Sequence, residues 1–194
     1  MKELESLAKK TYPRESGKIL LDIDLDTYAD IYEEWDYSPQ KRRDIDEDLF
    51  NYLMECSGEI PAKESLVIRF HLPSDICNEK REDNALKGLN RYLVYKYQKN
   101  KYLRKKAYRQ LLGYGLSGLV FLVMGFILRS ILKSHPIAVI LHEGLIIGGW
   151  VLFWECFSIL FFKDAYLRET QRHVGRLLKS KVRFAYHQPG SKIQ

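Results

Sequence analysis

Cysteine is scarce in this chain of 194 residues, and an apolar leader at the N-terminus is absent. Cys56, Cys77 and Cys156 show no metal-ligand spacing, and their odd number indicates free thiols in a reducing compartment. The first 18 residues are charged and lack the apolar core of a secretory signal peptide. We therefore expect the protein to face the cytoplasm, and any membrane insertion must depend on apolar segments further along the chain.

Motifs of the common enzyme classes are also missing. The chain has no glycine-rich phosphate loop, no G-x-S-x-G motif and no recognisable Cys–His spacing. His142-Glu143 begins like the zinc motif H-E-x-x-H, but Ile146 stands where the second histidine belongs. We predict a protein that is not an enzyme, with no catalytic residue, no cofactor and no bound metal.

The chain contains two acidic clusters that could hold a divalent metal. A membrane-tethered, metal-dependent enzyme is therefore an alternative. Carboxylate oxygens are the ligands that Mg²⁺ and Ca²⁺ prefer. A solvated strand face and favourable positions at a helix N-terminus explain the same residues without a metal. The clusters are Asp22, Asp24 and Asp26, and Asp44, Asp46, Glu47 and Asp48.

Two long apolar stretches, residues 111–132 and 137–162, are what the chain does contain, and a short link at 133–136 joins them. Each has the roughly 20 mostly apolar residues that a helix needs to cross a hydrocarbon core about 30 Å thick. Irregular backbone is not stable in lipid, so two spans joined by so short a link must form an antiparallel pair. The sequence predicts an α+β membrane protein, with a small mixed α/β cytoplasmic domain on a two-helix transmembrane hairpin.

Opposite charges are separated along the chain, and this separation predicts its orientation. Residues 1–95 carry 14 Lys/Arg and 21 Asp/Glu, residues 96–110 carry seven basic residues and no acid, and residues 163–194 carry eight basic and two acidic residues. Basic residues near membrane ends stay cytoplasmic, so we expect both termini there. Nucleic-acid binding is disfavoured, because the basic run adjoins a span and the rest of the soluble part is acidic.

The basic run also forms a collar that should face anionic lipid head groups, each charge adding about 1 kcal/mol of attraction. The collar comprises Lys101, Arg104, Lys105, Lys106 and Arg109.

The spans and the charges together predict three regions of the chain. They are residues 1–110 as a cytoplasmic α/β domain ending in a long basic helix, residues 111–162 as the transmembrane hairpin, and residues 163–194 as a cytoplasmic basic helix and terminal strand.

Alternation of apolar and polar side chains predicts three strands in the soluble part. They are residues 19–26 with Leu21, Ile23 and Leu25 inward, residues 65–72, and a last strand that contains Val182, Phe184 and Tyr186. A basic amphipathic helix over residues 163–180 precedes the last strand. Because this strand follows the hairpin, we expect the sheet to be completed from both ends of the chain.

Capping signals and apolar spacing predict the helices of the soluble part. One helix should begin at Ile45, with Asp44 as its cap and Glu47 reaching back, and should stop at Gly58. From about Asn78 a second helix should continue with little interruption through the collar into the first span. Its apolar stripe comprises Leu86, Leu89, Leu93 and Tyr97.

Polar residues within the spans are costly, so each needs a reason. In the second span Gly144 and Gly148 form a G-x-x-x-G pair, and the same helical face continues to Glu155. The first-span residues at the depth of this acid are Tyr114, Ser117 and Gly118. We expect a hydrogen bond from the tyrosine or serine hydroxyl to Glu155. A small channel or transport component, with Glu155 in the pore of an oligomer, is the alternative.

Arg129 lies at a depth on the first span comparable to that of Glu143 on the second. An ion pair between them would tie the two spans together at the tip of the hairpin. We favour this pair over a metal site at His142-Glu143, because the second histidine of the zinc motif is missing.

Aromatic and acidic residues are interleaved between positions 28 and 37. Tyr32, Trp35 and Tyr37, with their acidic neighbours, form a surface suited to a cytoplasmic protein partner. Packing of these rings, and of Tyr28, against the domain's own core is the alternative.

The segment Gly148-Gly149-Trp150-Val151-Leu152-Phe153-Trp154-Glu155 is followed by Phe161-Phe162-Lys163-Asp164 and a basic tail. It resembles the second span of a family of small, uncharacterised bacterial two-span membrane proteins, with a Gly-Gly-Trp-x-x-x-Trp pattern. The family has no established activity. The resemblance therefore implies the architecture and a location in the bacterial inner membrane, and it transfers no catalytic residue.

These features together predict a membrane-anchored interaction, sensor or effector protein without enzymatic activity. Its expected partners are anionic lipid head groups, further copies of the chain that associate through the transmembrane helices, and a cytoplasmic protein. Nucleic acid is not among them.

Overall fold

The structure is a computed structural model that describes residues 11–36, 43–131 and 136–188. It is mostly helical, with a small mixed sheet and two long apolar helices. The chain divides into two compact units. Residues 1–98 and 172–194 form one, which we call the α/β unit, and residues 99–171 form the other, which we call the hairpin unit.

The α/β unit is built on a four-stranded sheet in the order β1-β2-β3-β4. The strands are β1 (Arg14–Glu15), β2 (Lys18–Asp24), β3 (Leu66–Pro73) and β4 (Lys181–His187). β1 is antiparallel to β2, whereas β2, β3 and β4 are parallel. Ser16 and Gly17 form the turn between β1 and β2 with φ of 50° and 76°, as a tight two-residue hairpin requires.

The three strands predicted from alternation are confirmed as β2, β3 and β4. β2 ends at Asp24, so Leu25 follows the strand, but its side chain is buried as expected. β4 pairs in parallel with β3, from Lys181 opposite Val67 to His187 opposite Pro73. The sheet is therefore completed by residues that follow the hairpin in the sequence.

Four long helices lie within the described residues: α1 (Glu47–Glu59), α2 (Glu79–Ile131), α3 (Pro136–Ser158) and α4 (Asp164–Lys179). Parallel strands require crossover connections, and here α1 connects β2 to β3 while α2, α3 and α4 lie between β3 and β4. The apolar side chains of the sheet form one core with side chains of α1, α2 and α4. Leu21, Ile68 and Phe70 from the sheet, together with Leu53 and Leu177 from helices, are at most 1% exposed.

The predicted start and end of α1 are wrong by one or two residues. Asp46 is the N-cap, and its carboxylate accepts a hydrogen bond from the Leu49 backbone N–H at 2.8 Å. The Asp44 backbone N–H instead donates to Asp36 in the preceding loop. The helix also continues past Gly58, because Arg176 donates to carbonyl oxygens at its end and makes a glycine stop unnecessary.

The long second helix is confirmed, because α2 runs for 53 residues from Glu79 to Ile131. The predicted stripe is wrong at Leu86, which is 36% exposed, whereas Leu89 and Leu93 are 2% exposed. Ala85 and Tyr92 are buried beside them. Positions 85, 89 and 92 are spaced by three and four residues, so they lie on one face of α2. This face packs in the same core as the side chains of the sheet.

The hairpin unit contains the two most apolar helical segments of the chain, in α2 and in α3. Each is long and apolar enough to cross a membrane, and only 11% of its most apolar 18-residue window is buried. A π-helical turn, Ile159–Lys163, joins α3 to α4. Most of the predicted link lies outside the described residues, and Pro136 begins α3.

Candidate functional site

The contact between α2 and α3 is built on glycines. A Cβ atom at Gly149 would lie 2.7 Å from Cδ2 of Leu122, and one at Gly118 would lie 3.1 Å from the Gly149 carbonyl oxygen. A side chain at Gly149 would therefore require Leu122 to shift, and a side chain at either glycine would crowd a backbone oxygen of the other helix at 3.1 Å. Small residues at this contact allow the two backbones to approach closely. Leu152 and Phe153 also contact the Gly118 position. We call this contact surface the inner face of the hairpin.

The two glycines of the predicted G-x-x-x-G pair have different surroundings. A Cβ atom at Gly148 would lie 3.1 Å from the Phe121 ring, so Gly148 borders the inner face. A Cβ atom at Gly144 meets no described atom within 4 Å. The same stripe of α3 continues to the exposed residues Val151 and Glu155. Gly144, Val151 and Glu155 form what we call the outer face of the hairpin.

The structure does not bring Glu155 to its expected partners. Among the described residues none is hydrogen-bonded to its carboxylate, and Tyr114 and Ser117 are exposed. Its neighbour Cys156 points to the inner face instead, with Sγ 3.4 Å from the Leu111 carbonyl oxygen. Successive residues of a helix are rotated by about 100°, so a helix that turns Cys156 inward turns Glu155 away.

The tip of the hairpin is held by His142 and not by the predicted ion pair. Arg129 and Glu143 are both exposed, and within the described part of the chain no ion pair joins them. His142 Nδ1 lies 2.8 Å from the Gly125 carbonyl oxygen and must donate the hydrogen, because a carbonyl oxygen only accepts. The sequence could have indicated that His142 faces α2. It is seven residues from Gly149, and residues seven apart lie on the same face of a helix.

A polar cluster lies around Asp164, at the start of α4. The carboxylate is 2% exposed, and it accepts hydrogen bonds from Arg104 Nε at 3.1 Å and Arg168 Nη2 at 2.5 Å. Burial by itself raises the pKa of Asp164, but hydrogen bonds from Arg104 and Tyr108 and the charges of both arginines outweigh it. The pKa therefore lies below its usual value, and the carboxylate stays ionised.

This cluster changes the interpretation of the predicted basic collar. Arg104 is directed into the hairpin unit, where it also donates to Gln171 at 3.1 Å. The other four members remain exposed: Lys101, Lys105, Lys106 and Arg109. Three of these line one cavity of about 510 Å³, whose walls are Tyr102, Lys105, Lys106, Arg109 and Gln110.

The acidic strand residues have protein partners. Asp22 forms a two-point ion pair with Arg69, at 2.5 and 3.0 Å, and accepts a hydrogen bond from His71 Nε2 at 2.7 Å. Burial raises the pKa of Asp22, but these bonds and charges outweigh it, so the pKa is lowered overall. Asp24 lies 3.2 Å from His187 Nε2. In the described ranges no group of three or more His, Cys, Asp or Glu side chains is arranged to hold a metal ion.

The aromatic segment divides between core and surface. Tyr28 and Tyr32 are 3% exposed, so the alternative of core packing holds for both. The Tyr28 hydroxyl lies 2.7 Å from the Tyr186 hydroxyl and accepts a hydrogen bond from the Asn78 backbone N–H. Trp35 is 74% exposed. Tyr37, the third member of the predicted partner surface, lies outside the described residues.

The chain was also compared with known proteins. No protein-family profile, curated protein or solved structure matches it. The resemblance to small two-span membrane proteins therefore stays a prediction.

Proposed function

We propose that this protein is a membrane-anchored interaction, sensor or effector protein without enzymatic activity. In this proposal the apolar segments of α2 and α3 cross the bacterial inner membrane as a hairpin. The α/β unit and both termini lie in the cytoplasm, and further copies of the chain associate through the hairpin. One observation carries the proposal, namely that the apolar side chains around both helices are exposed.

Core helices of soluble proteins bury their apolar side chains, whereas these two helices do not. Large apolar side chains point outward around both helices, including Leu116, Phe126, Ile140, Trp150 and Trp154, each at least 63% exposed. An apolar surface this extensive is unfavourable in water and indicates contact with lipid or protein. In the interior of a helix the backbone N–H and C=O groups are hydrogen-bonded to one another, which is what a lipid-exposed segment requires.

The distribution of charge supports the orientation. Exposed cations flank the apolar segment of α2 at Lys101, Lys105, Lys106 and Arg109, and Lys163 follows the apolar segment of α3. Lys and Arg close to the ends of spans are retained on the cytoplasmic side. At the opposite end of the hairpin, Arg129 is the only Lys or Arg among the described residues, and Glu143 is the only acid.

A natural thiol tests this topology. Cys77 is exposed in the α/β unit, whereas Cys56 is buried. In spheroplasts that express the full chain, a membrane-impermeant maleimide should leave Cys77 unlabelled until the membrane is permeabilised. The variant Ser130→Cys, near the distal end of α2, should be labelled without permeabilisation.

Two results would contradict the proposal at different levels. One is labelling of Cys77 in intact spheroplasts, which would overturn the proposed orientation, with Cys77→Ser as the control for assignment. The other is release of the chain from membranes by alkaline carbonate, which extracts peripheral proteins but not spanning helices. Retention in the membrane with the opposite labelling pattern would refute the orientation alone.

Self-association is proposed through the outer face. Gly144 leaves space for a second helix, and Glu155 has no partner among the described residues, so a second copy can supply both contacts. The exposed acid also favours a second candidate function, a channel in which Glu155 lines the pore of an oligomer. Glu155→Gln separates the two, since ion flux through reconstituted vesicles would be lost only if the acid lies in a conduction path.

A further inference from the structure

One side of α2 is a basic groove immediately before the apolar segment. Its walls are Tyr102, Lys105, Lys106, Arg109 and Gln110, and its volume is about 510 Å³. These positions follow spacings of three and four residues, so they share one face of the helix. No acidic residue occurs between positions 96 and 110. The groove therefore presents three cations without a neighbouring acid in the same segment of the helix.

The opposite face of the same turns is occupied. The buried side chains of Asn100 and Ala107 lie there, and Arg104 donates to Asp164 and Gln171. Because α4 packs on this face, Arg104 is paired with Asp164 of α4 and does not belong to the exposed collar. None of the three groove cations has a hydrogen bond or ion pair with another described residue, so their charges remain available to a ligand.

We propose that this groove binds the phosphate head group of an anionic phospholipid. Lysine ammonium groups and the arginine guanidinium donate charge-assisted hydrogen bonds to phosphate oxygens, and the guanidinium can do so at two points. Lys163 Nζ donates to Gln110 at 3.1 Å and brings a fourth cation beside the groove. The inference rests on the proposed membrane insertion, because only then does the groove lie at the depth of the head groups.

The surface beyond the groove identifies a lipid, and not a soluble phosphate, as the ligand. Leu112, Leu116 and Leu119 follow along α2 and are 63%, 65% and 53% exposed. A phospholipid places acyl chains on such a surface while its phosphate occupies the basic groove. The Tyr102 ring suits the same boundary, where tyrosine is enriched at membrane interfaces. An inorganic phosphate ion would leave these three leucine side chains exposed.

The test uses the full chain, purified and reconstituted in nanodiscs of phosphatidylcholine with increasing fractions of phosphatidylglycerol. We expect the thermal unfolding midpoint to rise with the anionic lipid and to saturate. The variant Lys105→Gln/Lys106→Gln/Arg109→Gln should lose at least about tenfold in apparent lipid affinity, since each charge near the surface contributes appreciably.

The matched control is Lys63→Gln/Lys80→Gln/Arg81→Gln, which removes the same charge from exposed positions of the α/β unit. Lys80 and Lys105 are 25 residues apart in the sequence and belong to different units. This control should keep the saturable response. Equal loss in both variants would show unspecific attraction by net charge and would overturn the head-group site.

Two further measurements distinguish a lipid from a soluble phosphate, and failure of the head-group site from failure of membrane anchoring. If soluble glycerophosphate shifts the midpoint as strongly as the lipid at equal concentration, the groove is a site for soluble phosphate and the lipid proposal is wrong. If the chain resists alkaline carbonate extraction but shows no response to anionic lipid, the head-group site fails while membrane anchoring stands. If carbonate releases the chain, the anchoring proposal itself fails.

Discussion

Asp164 combines nearly complete burial with a full negative charge. It is 2% exposed, and the charges that compensate it come from different helices, Arg104 on α2 and Arg168 on α4. The two arginines differ in exposure, at 28% and 62%. A buried ion pair is costly to break on one side, because the remaining charge is left without a partner. Asp164 therefore fixes α4 against α2 within the hairpin unit.

Asp164→Asn should destabilise the hairpin unit by about 2 kcal/mol, because the amide neutralises the charge that both guanidinium groups require. Thermal unfolding of the full chain in detergent measures this loss. Arg168→Gln serves as the matched comparison, and its loss should stay below about 1 kcal/mol since that arginine is mostly solvated. Equal losses in the two variants would contradict the assigned role.

Asp22 makes a second residue-level prediction, which concerns pH. Its folded-state pKa is lowered, because the bonds and charges of Arg69 and His71 outweigh the effect of burial. A lowered pKa contributes stability that is present above the unfolded value of about 3.9 and is lost as pH falls through the folded value. We expect urea unfolding to become easier below about pH 4. Asp22→Asn should flatten this dependence, whereas the exposed Asp26→Asn should leave it unchanged.

At the scale of the element, the second apolar helix presents two distinct faces. The inner face contains Gly149, where the backbones of α2 and α3 approach closely, and the outer face contains Gly144, where a Cβ atom meets no described neighbour. The two glycines are five residues apart, which rotates them by about 140° around the helix. Glycine therefore allows close packing within the hairpin at position 149, and at position 144 it leaves space on the outer face.

The pair Gly149→Leu and Gly144→Leu tests this division. Gly149→Leu should disrupt the hairpin, because even a Cβ atom would lie 2.7 Å from Leu122. Gly144→Leu should leave the monomer folded but reduce cross-linking between copies in membranes. Thermal unfolding reports the first effect and cross-linking the second. Cross-linking that is unaffected by Gly144→Leu would contradict association through the outer face.

For the whole molecule, the connection between β3 and β4 contains the complete hairpin. β4 pairs with β3 and supplies Phe184 and Tyr186, which pack against the core of the α/β unit. A chain that ends before β4 leaves β3 as an open edge and the core uncovered. The α/β unit therefore cannot complete its fold before the hairpin has been synthesised.

Truncation after Gln171 tests this dependence. We expect the α/β unit to become susceptible to limited proteolysis, since β4 and the apolar residues Val174 and Leu177 of α4 are removed. Truncation after Gln188 keeps β4 and is the matched control. A protease-resistant α/β unit in the shorter chain would show that the sheet is stable without its last strand.

Local patterns were sufficient for most elements. Alternation at Leu21 and Ile23 predicted β2, and uninterrupted helix-forming sequence predicted α2, because both signals depend only on neighbours in the chain. The cap at Asp46 and the stripe that excludes Leu86 were missed, since each depends on the angle at which a helix meets the sheet.

The partners of charged residues were predicted less well. Asp22 was interpreted as part of a solvated strand face, yet Arg69 lies directly opposite it in the register of β2 and β3. Glu155, Arg129 and Glu143 were assigned partners from depth alone. Depth along two helices leaves their rotation undetermined, and rotation decides which side chains meet.

The sequence by itself determined the apolar length of the two helical segments, the separation of charge along the chain and the alternation that forms the sheet. These properties are sums over neighbouring residues, so they can be derived without a fold. Only the tertiary structure decided that Gly118 meets Gly149, that Asp164 withdraws Arg104 from the basic collar, and that Lys105, Lys106 and Arg109 remain around one groove. Those outcomes depend on the rotation and close approach of helices, which are set by packing between residues distant in the chain.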